Sequence, residues 1–330
     1  MKISILGDGG WGTTLSILLF CKGFDVTLWS VSKEYAAYLD KKRINKKFLP
    51  IVSIPRQIKI TADLREAVKG KDLLILAVPS QYVRQVLRKI RLTDLLNKDA
   101  LFVSATKGIE VKTLKRMSEV VHEELGNLKF AVLSGPTVAQ EVINGIPTTA
   151  VIASRDTGVR KTLQNIFMTE RFRIYTNDDV IGVELGGSLK NIIAIACGIS
   201  DGLGFGTNTK AAILARGLTE ISRLGQAMGA KAHTFSGISG LGDLVTTCIS
   251  PYSRNRFVGE QIGKGKSLKE IINHMQMVAE GVATTKSAYV LSLKYKVEMP
   301  ITEEVYSVLY KNKSPFKAVR SLMTREGKEE

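Results

Sequence analysis

Cysteine and histidine are scarce in this chain, and their scarcity closes several routes. Three cysteines (Cys21, Cys197 and Cys248) make an odd number without a CxxC pair, which argues against a disulfide framework and a structural zinc site. The three histidines (His122, His233 and His274) form no HxxxH or HxH arrangement, so no metal is expected. Acidic residues are also in deficit: 47 Lys+Arg stand against 31 Asp+Glu, a formal net charge of +16. A balance that basic fits anionic partners such as nucleic acid, acidic lipid or phosphorylated small molecules. Long hydrophobic runs are missing as well. Few residues separate Met1-Lys2 from Gly7, too short a stretch for a secretory leader. The oily stretches Leu15–Cys21 and Ile192–Cys197 fall far short of the roughly 18 to 20 residues that span a bilayer. A soluble, cytoplasmic protein without membrane insertion is the expectation.

What is present reads as globular. The 330 residues are 44% hydrophobic and 24% charged, which excludes a disordered or collagen-like chain, and the length allows about two domains. The first half alternates short β-rich runs with amphipathic segments, the pattern of parallel βαβ units. Strands are predicted at Lys2–Leu6, Val26–Trp29, Leu73–Ala77, Leu101–Ser104, Phe130–Leu133 and Thr149–Ala153. Unbroken apolar strands such as Leu73-Leu-Ile-Leu-Ala77 suit a doubly wound α/β sheet covered on both faces. From about Asp179 the periodicity turns helical, beginning with a long buried helix over Val180–Ile199. Residues 1–179 are therefore read as a doubly wound α/β domain and 180–330 as an all-α domain. The charged tail Arg325–Glu330 is expected to fray.

Gly7-Asp8-Gly9-Gly10-Trp11-Gly12 follows the first predicted strand and opens a predicted helix, the context in which GxGxxG carries meaning. Gly7 permits the tight turn, Gly9 lets backbone approach a pyrophosphate, and Gly12 allows close packing of helix on strand. The helix that follows offers its N–H groups and positive dipole end to that anion. At the end of the second strand, Trp29-Ser30-Val31-Ser32-Lys33 has no carboxylate for a ribose 2′-hydroxyl and no arginine for a 2′-phosphate. Ser30, Ser32 and Lys33 together would hold such a phosphate, which favours NADPH with NADH as the alternative. Ser32 alternatively caps the next helix.

Two lysines draw attention. Lys107 lies in the turn Ser104-Ala-Thr-Lys-Gly-Ile-Glu110, after a predicted strand, where ligands of such sheets sit. Lys190 interrupts an otherwise apolar helix between Glu184-Leu-Gly-Gly-Ser-Leu189 and Asn191-Ile-Ile-Ala-Ile-Ala196. A buried ammonium needs a carboxylate partner or gives up its proton. Asp243, in Gly240-Leu-Gly-Asp-Leu-Val245, is the candidate partner, in a bridge that is catalytic or merely structural.

These segments, with Ala77–Ser80, Leu133-Ser-Gly-Pro136, Glu141, Thr246-Thr-Cys248, Ser253-Arg-Asn-Arg256 and Glu280-Gly-Val282, resemble the NAD(P)-dependent glycerol-3-phosphate dehydrogenases of bacterial type nearly end to end. The resemblance implies a Rossmann-type N-terminal domain and an all-α C-terminal domain. It also implies reversible reduction of dihydroxyacetone phosphate to sn-glycerol 3-phosphate by NAD(P)H, feeding phospholipid synthesis, in a homodimer. Lys190 would then be the general acid–base residue, with Asp243 and Thr247 around it, and Lys107 would polarise the substrate carbonyl. Gly135 and Thr137 would border the substrate, while Ser253, Arg254, Asn255 and Asn191 would meet its phosphate. Gly10, Trp11, Lys107, Ala139, Arg254, Val278 and Glu280 would line the cofactor. The chain departs from the family at Ser30-Val31-Ser32, where many relatives carry a basic residue. The alternatives are a related two-domain dehydrogenase of hydroxyacids or sugar acids, and a non-catalytic NAD(P)H-binding regulator. No RNA-recognition motif or helix-turn-helix signal supports a nucleic-acid partner.

Overall fold

The computed structural model of this chain describes residues 1–97, 99–327 and 329. The expected fraying of the tail falls partly on residues outside this set. Two compact units emerge, Met1–Lys107 with Lys115–Glu184, and Gly108–Leu114 with Leu185–Glu330. The division falls after Glu184, a few residues past Asp179, and the short stretch Gly108–Leu114 joins the second unit.

The first unit runs β1 (Lys2–Leu6), α1 (Gly10–Cys21), β2 (Asp25–Trp29), α2 (Lys33–Lys42), β3 (Ile44–Asn45), β4 (Leu49–Ser53), β5 (Lys59–Thr61), α3 (Leu64–Val68) and β6 (Leu73–Leu76). It continues with α4 (Val83–Arg91), β7 (Leu101–Ser104), α5 (Met117–Leu125), β8 (Lys129–Ser134), α6 (Ala139–Ile143), β9 (Thr148–Ala153), α7 (Thr157–Phe167) and β10 (Phe172–Asn177). Eight strands form one sheet in the order β10-β9-β8-β7-β6-β1-β2-β5. All neighbours are parallel except β8 and β9, which pair antiparallel through Val132↔Ala153. That antiparallel step departs from the all-parallel expectation, and β5 and β10 are strands that the sequence pattern did not predict.

Alternation along each strand explains the two-faced core. Ile3, Ile5, Leu73, Ile75 and Val103 point into one apolar cluster with α1 and α7. Leu6, Leu74, Leu76 and Phe102 point into another with α3, α4 and α5. Because strand side chains alternate in direction, a wholly apolar strand is what a sheet covered on both sides requires. Chain order reverses at β1, which is flanked by β6 on one side and β2 on the other. Such a switch point opens a crevice at the carboxyl ends of the strands.

The second unit is helical: α8 (Val180–Gly202, which begins in the first unit), α9 (Thr207–Ala227), α10 (Ala232–Phe235), α11 (Asp243–Ile249), α12 (Arg254–Gly263), α13 (Leu268–His274), α14 (Glu280–Tyr295), α15 (Pro300–Tyr310) and α16 (Pro315–Met323). By length and composition α8 is apolar enough to cross a membrane, longer than the short oily runs suggested, yet 89% of its apolar window is buried in protein. Helices α8 and α12 meet backbone to backbone. A Cβ on Gly198 would stand 2.0 Å from the Arg256 carbonyl oxygen, and one on Gly259 would stand 2.0 Å from that of Ile195. No other residue fits either position.

Helix α15 shows a long-range cap. Its own N-cap, Met299, has no side-chain acceptor, and Pro300 has no N–H. Glu220 of α9 accepts instead from Ile301 N at 2.6 Å, Thr302 N at 3.1 Å and Thr302 Oγ1 at 3.0 Å. Three donors satisfy a carboxylate that is only 2% exposed.

Candidate active site

The glycine turn is built as its spacing requires. Gly7 has φ +126°, and a Cβ there would press to 2.7 Å from the Ala77 carbonyl oxygen. One on Gly12 would fall 2.0 Å from the Gly7 oxygen. Around Gly9, in contrast, nothing lies within 4 Å of the position a Cβ would take. The turn thus keeps an open backbone cradle at the N-terminus of α1, which has no side-chain cap and no acidic residue in its first turn. A pyrophosphate suits that cradle by shape and by charge. Gly7 N donates to Trp29 O at 3.1 Å, tying the turn to the end of β2.

Gly10 approaches Ala139, whose Cβ lies 3.8 Å from where a Cβ on Gly10 would be, and Thr14 Oγ1 donates to Ala139 O at 3.4 Å. These cofactor candidates therefore converge. Trp11 packs its ring edge-on against Phe172 at 6.3 Å, so part of its surface belongs to the core.

Ser30 is less free than a phosphate ligand needs to be. It is fully buried, its hydroxyl donates to Ser32 O at 3.2 Å, and it accepts from Ser32 N at 3.3 Å. Ser32 caps α2 by accepting from Tyr35 N at 3.1 Å, while Lys33 is exposed. Asp8, absent from the expected site residues, sits beside Ser30. Burial pushes its carboxyl above the ordinary range, opposed by the Ser30 hydroxyl and by the Lys47 ammonium.

Lys107 Nζ donates to Gly135 O at 2.8 Å, and Thr137 Oγ1 donates to the same oxygen at 3.2 Å. Three expected substrate-side residues of the first unit are thus joined by one carbonyl. Gly135 has φ +133°, which favours glycine there. The loop of Lys107 is pinned by Thr106 Oγ1, which donates to Val78 O at 2.8 Å.

In the second unit Lys190, 5% exposed, lies 2.7 Å from Asp243 Oδ1 and donates a hydrogen bond to Thr247 Oγ1. Thr247 Oγ1 spends its own proton on Asp243 O at 2.7 Å, so its lone pairs face the ammonium. A π-helical turn, Ile238–Gly242, delivers Asp243 to the N-terminus of α11. That turn packs on Gly186 of α8, where a Cβ would come within 2.6 Å of Ser239 O. The Lys190–Asp243 contact inferred from an isolated lysine in an apolar helix is therefore made.

One residue further along, Asn191 Oδ1 accepts from Asn255 Nδ2 at 2.8 Å, and Asn255 Oδ1 accepts from Gly281 N at 2.9 Å. Ser253 caps α12, accepting from Arg256 N at 3.2 Å. Arg254 keeps part of its surface exposed and donates Nη1 to Val278 O at 2.8 Å; burial of its guanidinium lowers its pKa, opposed by the charge of Glu280. Five of the expected residues (Ser253, Arg254, Asn255, Val278 and Glu280) thus gather around the start of α12, with Asn191 beside them. The close backbone approaches at Gly281, Gly186, Gly198 and Gly259 escaped sequence reasoning. Their only signal was glycine recurring inside helical patterns. Among the described residues, no cluster of three or more His, Cys, Asp or Glu is placed to hold a metal ion.

A glycine cradle at a sheet switch point, in a chain whose second unit buries a lysine on a carboxylate, marks the nicotinamide-dependent oxidoreductases of Rossmann type. Comparison with known proteins narrows the class. The family model for the N-terminus of NAD-dependent glycerol-3-phosphate dehydrogenase matches residues 2–159, and that for its C-terminus matches residues 179–320. The chain belongs to that family. It is 53% identical over 330 residues to the NAD(P)+ glycerol-3-phosphate dehydrogenase of Thermoanaerobacter sp. (strain X514), covering 100% of this chain and 99% of the relative. The corresponding protein of Chlorobium phaeobacteroides (strain BS1) is 51% identical over 333 residues, with coverage of 100% and 99%. The crystal structure of glycerol-3-phosphate dehydrogenase from Coxiella burnetii superposes with a TM-score of 0.95 at 39% identity, covering 98% of this chain and 99% of that one.

Proposed function

We propose that the chain catalyses the reversible, NAD(P)H-dependent reduction of dihydroxyacetone phosphate to sn-glycerol 3-phosphate. The observation that carries this reading is the buried Lys190–Asp243 pair: an ammonium held by a carboxylate and a threonine hydroxyl is a proton donor fixed in place. The nicotinamide, when bound, supplies hydride to the carbonyl carbon. Lys190 gives a proton to the oxygen as it becomes an alkoxide, and takes one back in the oxidative direction. Asp243 keeps the lysine charged before transfer, and Thr247 fixes its direction. Lys107 polarises the carbonyl, with Gly135 and Thr137 bordering the substrate. Arg254 meets the substrate phosphate with its guanidinium, aided by Asn255, Asn191 and the N-terminus of α12 behind Ser253.

Gly7, Gly9 and Gly12 shape the cradle for the dinucleotide, and Gly10, Trp11 and Ala139 line it. The basic balance raises the local concentration of two polyanions, cofactor and triose phosphate. The enzyme works in the cytoplasm as a homodimer and supplies glycerol 3-phosphate for phospholipid synthesis. The residue types at the end of β2, Ser30, Ser32 and Lys33, suggest NADPH, with NADH as the alternative. Following the absorbance of NADPH and NADH in parallel with dihydroxyacetone phosphate tests the reading. Oxidation that depends on this substrate supports it. Turnover only with a non-phosphorylated keto acid selects the hydroxyacid dehydrogenase alternative.

A further inference from the structure

We propose that Asp8, inside the glycine turn, takes the place of the missing carboxylate at the end of β2, accepts the adenosine ribose 2′-hydroxyl, and makes NADH the preferred cofactor. The inference rests on the dehydrogenase reading above and concerns the cofactor subsite of that same site.

Three observations carry it. First, β1 and β2 pair in parallel with Leu6 opposite Trp29, and Gly7 N is bonded to Trp29 O at 3.1 Å. Asp8 and Ser30 are therefore neighbours at the carboxyl ends of adjacent strands, where the adenosine half of a dinucleotide lies. Second, the backbone of Asp8 is fixed. Its carbonyl oxygen accepts from Asn45 Nδ2 at 2.7 Å and Thr13 Oγ1 at 3.4 Å. Asn45 is held in turn by Tyr35 Oη, which donates to its Oδ1 at 2.7 Å. Third, the groups on β2 that would serve a 2′-phosphate are engaged or turned to solvent: Ser30 is bonded to Ser32, and Lys33 is exposed. The neighbouring acid Glu34 accepts from Ser32 Oγ at 2.8 Å on the exposed start of α2.

A carboxylate in that corner accepts hydroxyl hydrogens, as the acidic residue at the end of β2 does in other dinucleotide folds. A 2′-phosphate would bring about two negative charges beside it. Lys47, whose ammonium lies over the Tyr35 ring at 4.5 Å, is the smallest of the influences on Asp8. Opposition to the phosphoester therefore outweighs attraction, against the preference that β2 alone suggests.

The test is the ratio of kcat/KM for NADH to that for NADPH with dihydroxyacetone phosphate, in wild type, Asp8→Asn and Asp8→Ala. Wild type should favour NADH by about tenfold or more, and both variants should lower the ratio by about tenfold or more, the span of one charge-assisted hydrogen bond. A wild-type ratio at or below one, or a ratio unmoved by both variants, overturns the proposal. Failure of the dehydrogenase reading looks different, since neither cofactor would then be oxidised in response to the substrate. In that case, calorimetric titration of NADH and NADPH into the same proteins reads the same ratio without turnover. Should Asp8→Ala not fold, the wild-type ratio and the near-isosteric Asp8→Asn still decide.

Discussion

Replacing Lys190 by methionine separates a catalytic lysine from a merely structural one, provided it is paired with a second change. Lys190 and Asp243 are 5% and 2% exposed, with nitrogen and oxygen 2.7 Å apart. Removing the ammonium leaves Asp243 as a buried carboxylate without its counter-ion, a loss of about 3–5 kcal/mol. At roughly 2–4 °C per kcal/mol, the melting transition falls by on the order of 10 °C. The double variant Lys190→Met/Asp243→Asn removes both charges together, and most of that penalty is absent, because replacing both partners of a buried pair is often close to neutral. Turnover should behave differently. Loss of a general acid costs about 10²–10⁴-fold, and neither methionine nor asparagine carries a proton to donate, so both variants are slow. Thermal melts and the absorbance of reduced nicotinamide, taken on the same preparations, read the two effects apart. If the double variant recovers turnover along with its stability, the pair is a structural bridge, and the assignment of Lys190 as proton donor fails.

Arg254→Ala should raise KM for dihydroxyacetone phosphate by about 10–100-fold, the value of a charge-assisted hydrogen bond or two, with a smaller effect on kcat; an unchanged KM means that the phosphate is held elsewhere. Gly259→Ala forces a methyl to within 2.0 Å of the Ile195 carbonyl oxygen and should cost about 1–3 kcal/mol. It should also raise substrate KM, because α12 carries Ser253–Asn255, and an unaltered melting curve would refute the close contact of α8 with α12. Burial raises the Glu220 carboxyl from 4.5 to about 7, so between those pH values the folded state holds a proton that the unfolded state has lost. Stability should therefore decline as pH rises through this window, by on the order of 3 kcal/mol in full. Glu220→Gln should flatten that dependence in thermal melts taken from pH 5 to pH 8, and parallel profiles for wild type and variant would contradict it.

The legible parts of this chain are those where a residue conflicts with its immediate surroundings. Strands β1, β6 and β7 announce themselves because a short run of mostly apolar residues is soluble only when covered on both faces. The edge strand β10, with buried Phe172 and Ile174 alternating with exposed Arg173 and Tyr175, offers a far weaker pattern. Strand β5, three residues long, offers none. Lys190 was legible for the same reason as β1: an ammonium among isoleucines demands a counter-charge, and Asp243 was a carboxylate in similarly apolar company. Glu220 makes the opposite case. In a helix rich in polar residues it provokes no conflict, and its demand arises only because a distant helix opens on Met299-Pro300 and lacks a cap. The contacts of Gly198 with Arg256 and of Gly259 with Ile195 likewise need two helices that the sequence does not pair. Asp8 belongs with these. Read along the chain, it is one variable position among glycines. Its consequence depends on the β1–β2 register that sets it against Ser30, and the cofactor preference inferred from β2 alone omitted Asp8, a carboxylate just past the end of the neighbouring strand. A specificity read from the end of a single strand is thus only half of the relevant chemistry, since two parallel strands end there together.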